Sequence, residues 1–383
     1  MSAPSTKSLP GREPQIWWSN AIFFSLTHVA AAVGVYYYPP TAVPWQTLLF
    51  AFLTWQLADF GITMGYHRLY SHRAYRAAVG VRVVLALLGT IAFQGSIKWW
   101  CLRHRLHHVR DPFVTLRLYA ATRGLFYSHM GWIFYKPTYE RIGLVDRQDL
   151  DSDPVPLAVI MGFALPPLIG TLWSDPLGTY IWAGLVARLF SKLAHWDGLQ
   201  PYSDENTSRG NLILALLTGG EGNHNFHTFP HDYRSGPSYR DWDPTKWIIA
   251  ALHRLGFVKG LRRARDADLR AALAHMHLKS HHHGISSEDE DELWDGPVWD
   301  TAELKERAAQ GSCLLVIDGY IVDATSYLGE HPGGASILRK YACSPRQDTM
   351  IDATWAFEGG LNNHSWPARR GMRNLRVARY KLE

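Results

Sequence analysis

The sequence predicts an all-α integral membrane protein with four membrane-spanning helices, followed by a small second domain that contains a β-hairpin. Three observations carry that prediction. Four apolar runs each have roughly the twenty residues needed to cross a hydrocarbon core, histidines gather at the ends of those runs, and a polar stretch near residue 285 divides the chain by composition.

A chain of 383 residues and 43.4 kDa allows two domains. Apolar residues at 47% and charged residues at 19% exclude a disordered chain. The mean hydropathy of −0.15 has a soluble look, but an average conceals local runs. Three cysteines exclude a disulfide scaffold and fit a reducing compartment. The net charge of +5 comes with no basic stripe or nucleic-acid motif, which argues against a nucleic-acid partner. The informative count is 19 His; with 16 Trp and 18 Tyr it points to metals and to aromatic residues at a membrane interface.

The first span is predicted over 20–38, ending in Tyr36, Tyr37 and Tyr38 before Pro39-Pro40. The second covers 45–66, opened by Trp45 and carrying Gln56 and Asp59 inside. The third runs over 155–173 and the fourth over 178–196, with only a short Ser-Asp-Pro connection between them. Neither hairpin connection holds a Lys or Arg, whereas residues 67–153 hold thirteen, so the positive-inside rule places that segment in the cytosol. Two hairpins then put both termini on the cytosolic side. Residues 83–97 form a further apolar run, but at about fifteen residues, broken by Gly89 and Gln94, it suits a buried or membrane-surface helix. The N-terminal segment does not read as a secretory signal, since Pro10, Arg12 and Pro14 precede the first run.

The histidines are ordered. His67 and His72 directly follow the second span; His104, His107 and His108 sit in RHRLHH; His195 closes the fourth span; His224 and His227 sit in GEGNHNFH. On a helix, 104, 107 and 108 share one face, as do 224 and 227. Positions 67 and 72 fall about 140° apart on an α-helix, which suits ligands to two different metals. Neutral imidazole suits iron, copper, zinc or nickel, whereas Mg²⁺ or Ca²⁺ calls for carboxylates. A lone pair of histidines would read as surface or core; eight at span ends read as a metal site. His281, His282 and His283 lie in a polar stretch and read as solvated linker, and the charge runs 288–292 and 262–265 read as solvated surface.

The segments GYHRLYSHRAYRA, SIKWW…HRLHH, RGLFYSHMGW, KLAHW and GEGNHNFH…FPHDYR resemble the integral-membrane acyl-CoA Δ9 desaturases, most closely the fungal type, over roughly residues 15–265. The resemblance implies four spans with a cytosolic helical cap, in the endoplasmic reticulum membrane, and a di-iron centre held by nine histidines. Carried over by position, the ligands are His67, His72, His104, His107, His108, His195, His224 and His227. It also implies insertion of a cis double bond at carbon 9 of stearoyl- or palmitoyl-CoA, with O₂ as co-substrate and two electrons. Alternatives are another regioselectivity, a hydroxylase, or an impaired homologue that only carries haem.

The polar stretch 280–296 reads as a linker, so the desaturase domain is expected over 1–277, the linker over 278–297 and the second domain over 298–383. The run CLLVIDGYIVD (313–323) turns on Asp318-Gly319, a strong hairpin signal. With YLGEHPGGASIL and FEGGLNNHSW, this part is similar to the small α+β cytochrome b5 haem domain that fungal desaturases carry at the C-terminus. His331 and His364 match its axial haem ligands, and two imidazoles leave no open position, so haem b there transfers electrons. No flavin or dinucleotide motif occurs in the chain, so an external NADH-dependent cytochrome b5 reductase is implied.

The chain departs from the family in two places. The third box normally reads His-Asn-x-His-His; here Thr228 follows His227, so the ninth ligand is replaced or deleted. After His108 the segment VRDPFVTLRLY (109–119) replaces the family pattern, and Cys101-Leu102-Arg103 precedes His104. A contiguous altered block between matching flanks looks like a frameshift or a mis-spliced stretch.

Overall fold

The computed structural model describes residues 15–108, 131–136, 147–151, 164–190, 199–204, 209–229, 231–281, 294–329, 331, 334–345, 351–358, 364 and 366–381. His195 and the altered segment 109–119 lie outside these residues, as do the side chains of His107 and His108.

Helix α1 (Trp18–Tyr37) is twenty residues long, and α2 (Trp45–Phe60) continues without a break into a π-helix, Gly61–Ser71. These are the two helices, among the described residues, long and apolar enough to cross a membrane; the second runs 27 residues, Trp45–Ser71, well past the expected end at 66. Helix α1 leaves Trp18, Ile22, Leu26, Val29, Val33, Tyr36 and Tyr37 exposed, an apolar surface of the kind that lipid covers. Of the third and fourth expected spans, residues 164–190 are described. Leu165–Gly170 and Thr171–Trp173 are helical, Ser174 turns the chain with φ 59°, and Pro176–Thr179, a second π-helix Tyr180–Val186 and Ala187–Phe190 lead back.

The two hairpins are joined at their tips. The Thr47 hydroxyl donates to Asp175 Oδ2 (2.6 Å), Trp173 Nε1 donates to Thr47 Oγ1 (2.9 Å), and Trp182 Nε1 donates to the Tyr38 carbonyl (3.0 Å). Asp175 also caps the returning helix by accepting from Gly178 N.

The apolar run expected to be a buried or surface helix is α3 (Val79–Ile91), thirteen residues packed along α2 and its π-helical extension. A Cβ on Gly61 would strike the backbone of Leu88 and Gly89, and one on Gly65 would press on Leu85. Glycines four apart thus let two backbones approach closely, as small residues do between membrane helices. Helix α4 (Ile97–His108) follows. Beneath these elements lies a buried core that includes Tyr66, Leu69, Tyr70, Tyr75, Leu85, Leu102, Leu106, Ile249 and Val258. Strands β1 (Arg76–Ala77) and β2 (Val258–Lys259) pair across it. Helix α5 (Pro244–Arg254), capped by Asp243 with Pro at its first turn, closes one side. Helix α6 (Asp266–His281) leads out; the expected linker from 278 therefore begins as helix.

The C-terminal part has its own core. Strands β3 (Val298–Trp299), β4 (Leu314–Ile317), β5 (Tyr320–Asp323) and β6 (Arg376–Tyr380) form a sheet in the order β3-β6-β5-β4. Asp318 and Gly319 both have positive φ (53° and 72°), as a two-residue hairpin between right-twisted strands requires. Strand β4 is buried on both faces: Leu315 and Ile317 pack towards Leu328, Leu338 and Phe357, while Leu314 and Val316 pack towards Leu304. Helices α7 (Thr301–Ala309, with an Asp300/Glu303 capping box), α8 (Ala335–Tyr341) and α9 (Trp366–Arg373) complete it.

Candidate metal centre

The π-helix decides the geometry of the site. The His72 amide donates to the His67 carbonyl (3.0 Å), an i→i+5 bond, so residues five apart stack along one face. The α-helical expectation that sends His67 and His72 to different sides is therefore not met: their ring centroids stand 4.6 Å apart. His104 enters from α4, with Trp100 stacked on its ring at 4.8 Å and held in turn by Gln94. His224 and His227 lie on a 3₁₀ turn (His224–Thr228), where positions i and i+3 eclipse, and their rings stack at 5.1 Å.

Four imidazoles meet. One nitrogen each of His67, His72, His104 and His227 lies within 4.8 Å of the others. The Nε2 atoms are separated by 2.9 Å (His72 to His104), 3.2 Å (His67 to His227) and 3.3 Å (His104 to His227). Imidazole nitrogens about 2.1 Å from a shared metal stand roughly 3.0–3.4 Å apart in octahedral or tetrahedral arrangements, so this donor set fits one ion. Of the other expected ligands, His224 stacks beside this group without joining it, and His107 and His108 lie on the helix that carries His104.

Charged side chains hold the ligands in place. Glu221 Oε1 faces His67 Nδ1 at 3.2 Å, which leaves Nε2 to the cluster. The same oxygen accepts from Arg68 (Nη2 at 3.0 Å), and Arg68 also donates to the Tyr233 carbonyl (2.8 Å) and pairs with buried Asp243 (3.0 Å). Burial pushes the Glu221 carboxyl up, but His67 and Arg68 outweigh it and hold the group below the ordinary carboxylate range. Burial pushes His224 down to about 4, which keeps its imidazole neutral at pH 7. Arg105, next to His104, bonds the carbonyls of Tyr70 and Ser71 and makes two contacts to Asp149 (2.9 and 2.6 Å), locking α4 onto the π-helix. Asp243 carries the local signal of a helix cap, Asp before Pro244, but nothing in the sequence joins it, Glu221, Arg68, Arg105 or Asp149 to the histidines.

In the C-terminal part His331 and His364 face each other, ring centroids 6.3 Å apart. His331 Nδ1 contacts the Gly334 carbonyl (3.2 Å) and His364 Nδ1 the Phe357 carbonyl (2.8 Å), so both rings present Nε2 to the gap. Two such nitrogens on opposite sides of one iron, each about 2.0 Å away, put the ring centres roughly 6 Å apart, so this pair fits a bis-imidazole haem. Burial, with His364 opposite, pushes His331 down to about 4.

The relatives decide the family. The chain is 34% identical to the probable acyl-CoA desaturase of Schizosaccharomyces pombe, over 95% of this chain and 78% of that protein. It is 34% identical to acyl-CoA desaturase 1 of Saccharomyces cerevisiae, over 90% of this chain and 71% of that one. This chain belongs to the acyl-CoA desaturase family. Human stearoyl-CoA desaturase 5 matches at 33% identity over 71% of this chain and 88% of its own length. The profile of the cytochrome b5-like heme/steroid binding domain matches residues 300–381, the part that holds His331 and His364. As a desaturase the chain is an oxidoreductase of lipid metabolism, and its haem domain is an electron-transfer module.

Proposed function

We propose that this desaturase inserts a cis double bond at carbon 9 of stearoyl- or palmitoyl-CoA, using O₂ and electrons relayed from NADH through its own haem domain. The carrying observation is the four-imidazole cluster on the end of a membrane-length helix, in the same chain as a bis-imidazole pair. The proposal takes His67, His72, His104 and His227 as ligands of one iron, and His107, His108, His195 and His224 as ligands of a second. Iron bound there supplies the oxidising power that removes hydrogen from an unactivated methylene, which side chains cannot provide.

The protein's own residues hold the donors. Glu221 keeps His67 in the tautomer that offers Nε2, Trp100 fixes the His104 ring, and Arg105 keeps α4 against the helix that carries His67 and His72. The buried apolar wall around Tyr66, Leu69 and Leu102 excludes water from the inner side. His331 and His364, each with its Nδ1 tied to a backbone carbonyl, would hold a haem between them, and such a haem would supply electrons one at a time.

The domain reading is residues 1–277 for the membrane desaturase, 278–297 for the linker and 298–383 for the haem domain. The topology reading is four spans in the endoplasmic reticulum membrane with both termini cytosolic. The bonded hairpin tips support it, because tips that share hydrogen bonds lie at one depth. An NADH-dependent cytochrome b5 reductase is the external electron donor.

The test is product analysis. Membranes holding the chain are incubated with stearoyl-CoA, NADH and reductase. Oleate supports the reading, a double bond at another carbon corrects the position, a hydroxy acid replaces it with a hydroxylase, and no product with intact haem absorbance leaves a haem carrier. The position is worth measuring because an acyl-CoA Δ11 desaturase of Trichoplusia ni is also 35% identical, over 60% of this chain.

A further inference from the structure

The haem domain touches the desaturase part at both of its candidate haem-ligand segments. The Arg262 guanidinium donates to the Gly329 carbonyl, two residues before His331. On the other flank, His275 of α6 stacks flat on Trp366 of α9, centroids 4.4 Å apart and planes 17° apart, two residues after His364.

The cap side of these contacts is tied to the histidine cluster. The Arg262 amide donates to the Ala74 carbonyl (2.9 Å), two residues after His72, and its carbonyl accepts from Tyr233 N (3.1 Å). The Tyr233 carbonyl in turn accepts from Arg68, next to His67. A short bonded route therefore runs from His72 through Ala74 and Arg262 to Gly329 and His331. A surface basic run was expected at 262–265; Arg262 is instead half-buried and spent on this contact.

We propose that the haem domain works from a docked position on its own desaturase cap, held by Arg262 on Gly329 and by His275 on Trp366, and that this seam is the route of intramolecular electron delivery. The proposal rests on the functional reading above and adds the docking residues to it. The transfer moves one electron at a time, from reduced haem iron to oxidised iron at the histidine cluster, twice per double bond. No bond forms or breaks at the seam, and the haem is refilled by a flavoprotein reductase, or by dithionite in the test. Arg262 and His275 are positioning residues here.

The test removes the cap side alone, in the full-length chain in detergent micelles, as Arg262→Ala with His275→Ala. A charge-assisted hydrogen bond and an aromatic stack together favour a docked state by roughly tenfold to a hundredfold. Hydrogen exchange at 325–331 and 366–373 should speed up accordingly, with the haem spectrum unchanged. Oxidation of dithionite-reduced haem under O₂ and stearoyl-CoA should slow by about tenfold or more. Exchange unaltered by the double variant, or haem oxidation within about twofold of the parent, overturns the seam. Trp366→Phe, which keeps a stacking ring, should keep both readouts near the parent; a loss as large as the double variant's also overturns it. Absence of product from the unmodified chain with added cytochrome b5 strikes the functional reading instead, and the exchange readout stands apart from it.

Discussion

Glu221→Gln asks whether the histidine cluster is a ligand set or a packed group of imidazoles. The substitution keeps shape and removes charge from an oxygen that faces three donors: His67 Nδ1 at 3.2 Å, Arg68 Nη2 at 3.0 Å and Arg68 Nε at 3.3 Å. Arg68 retains Asp243 at 3.0 Å and the Tyr233 carbonyl at 2.8 Å, so its charge is not left unpaired. The loss therefore falls on His67, whose tautomer and orientation the carboxylate sets. Removing the orienting partner of a ligating histidine costs about 10–100-fold in metal affinity, or roughly 1.4–2.7 kcal/mol. The assay is iron content by plasma mass spectrometry after dialysis against graded chelator, with thermal melting run in parallel. The chelator concentration for half-loss should fall by that factor. Unchanged metal retention with a lowered melting temperature would show that Glu221 serves only as a counter-ion to Arg68, and would refute the reasoning.

His331→Ala should abolish haem absorbance, because one imidazole is a poor substitute for two, and should make desaturation depend on added cytochrome b5; full absorbance in the variant sinks the axial assignment. Tags at positions 42 and 175 should be lumenal and a C-terminal tag protease-sensitive in intact microsomes; protection of the C-terminal tag contradicts four spans. Burial pushes Asp149 up, but Arg105 and Arg73 outweigh it and hold the carboxyl at about 2. A depressed pKa stabilises the fold above the unfolded value of about 3.9 and loses that contribution as pH falls through about 2, so the melting difference between the parent and Asp149→Asn should be full at pH 6 and mostly lost by about pH 2. A difference independent of pH would locate the effect in shape rather than charge. Among the described residues the buried Thr228 hydroxyl, at the position after His227, has no hydrogen-bond partner. Inserting a His between His227 and Thr228 should raise iron per chain, and two irons already present in the parent would show that the extra imidazole is not needed.

What was legible in the sequence is what depends on local chemistry. The hairpin at Asp318-Gly319 is readable because both residues must take positive φ and few others do so cheaply. The second long helix is readable because Trp45 to Tyr66 is apolar over a membrane length despite Gln56 and Asp59. The gathering of imidazoles is readable because histidines recur at the ends of such runs. The network that holds them was not. Glu221, Arg68 and Asp243 are separated by 153 and 175 residues from Arg68 to its two partners, and only the folded chain brings a carboxylate behind one ring of the cluster. The bond from Arg262 is illegible for the same reason: a basic run has no sequence mark that tells a solvated guanidinium from one bonded to a carbonyl 67 residues away.

The π-helix is the deeper case, because there the sequence pattern points the wrong way. Five residues make about 140° beyond one α-helical turn, which sends His67 and His72 to different sides. An i→i+5 bond widens the turn until those same five residues complete it, and the two rings come to stand 4.6 Å apart. The wide turn also sets depth. His67 lies 22 residues after Trp45 on one uninterrupted helix, roughly 33 Å at the α-helical rise and somewhat less across π turns, close to one hydrocarbon thickness. The bonded hairpin tips fix the other end of that helix through Thr47 and Asp175. The cluster therefore stands one membrane thickness from the tips. That separation is what the proposed topology requires of a site that meets an acyl chain at the bilayer surface.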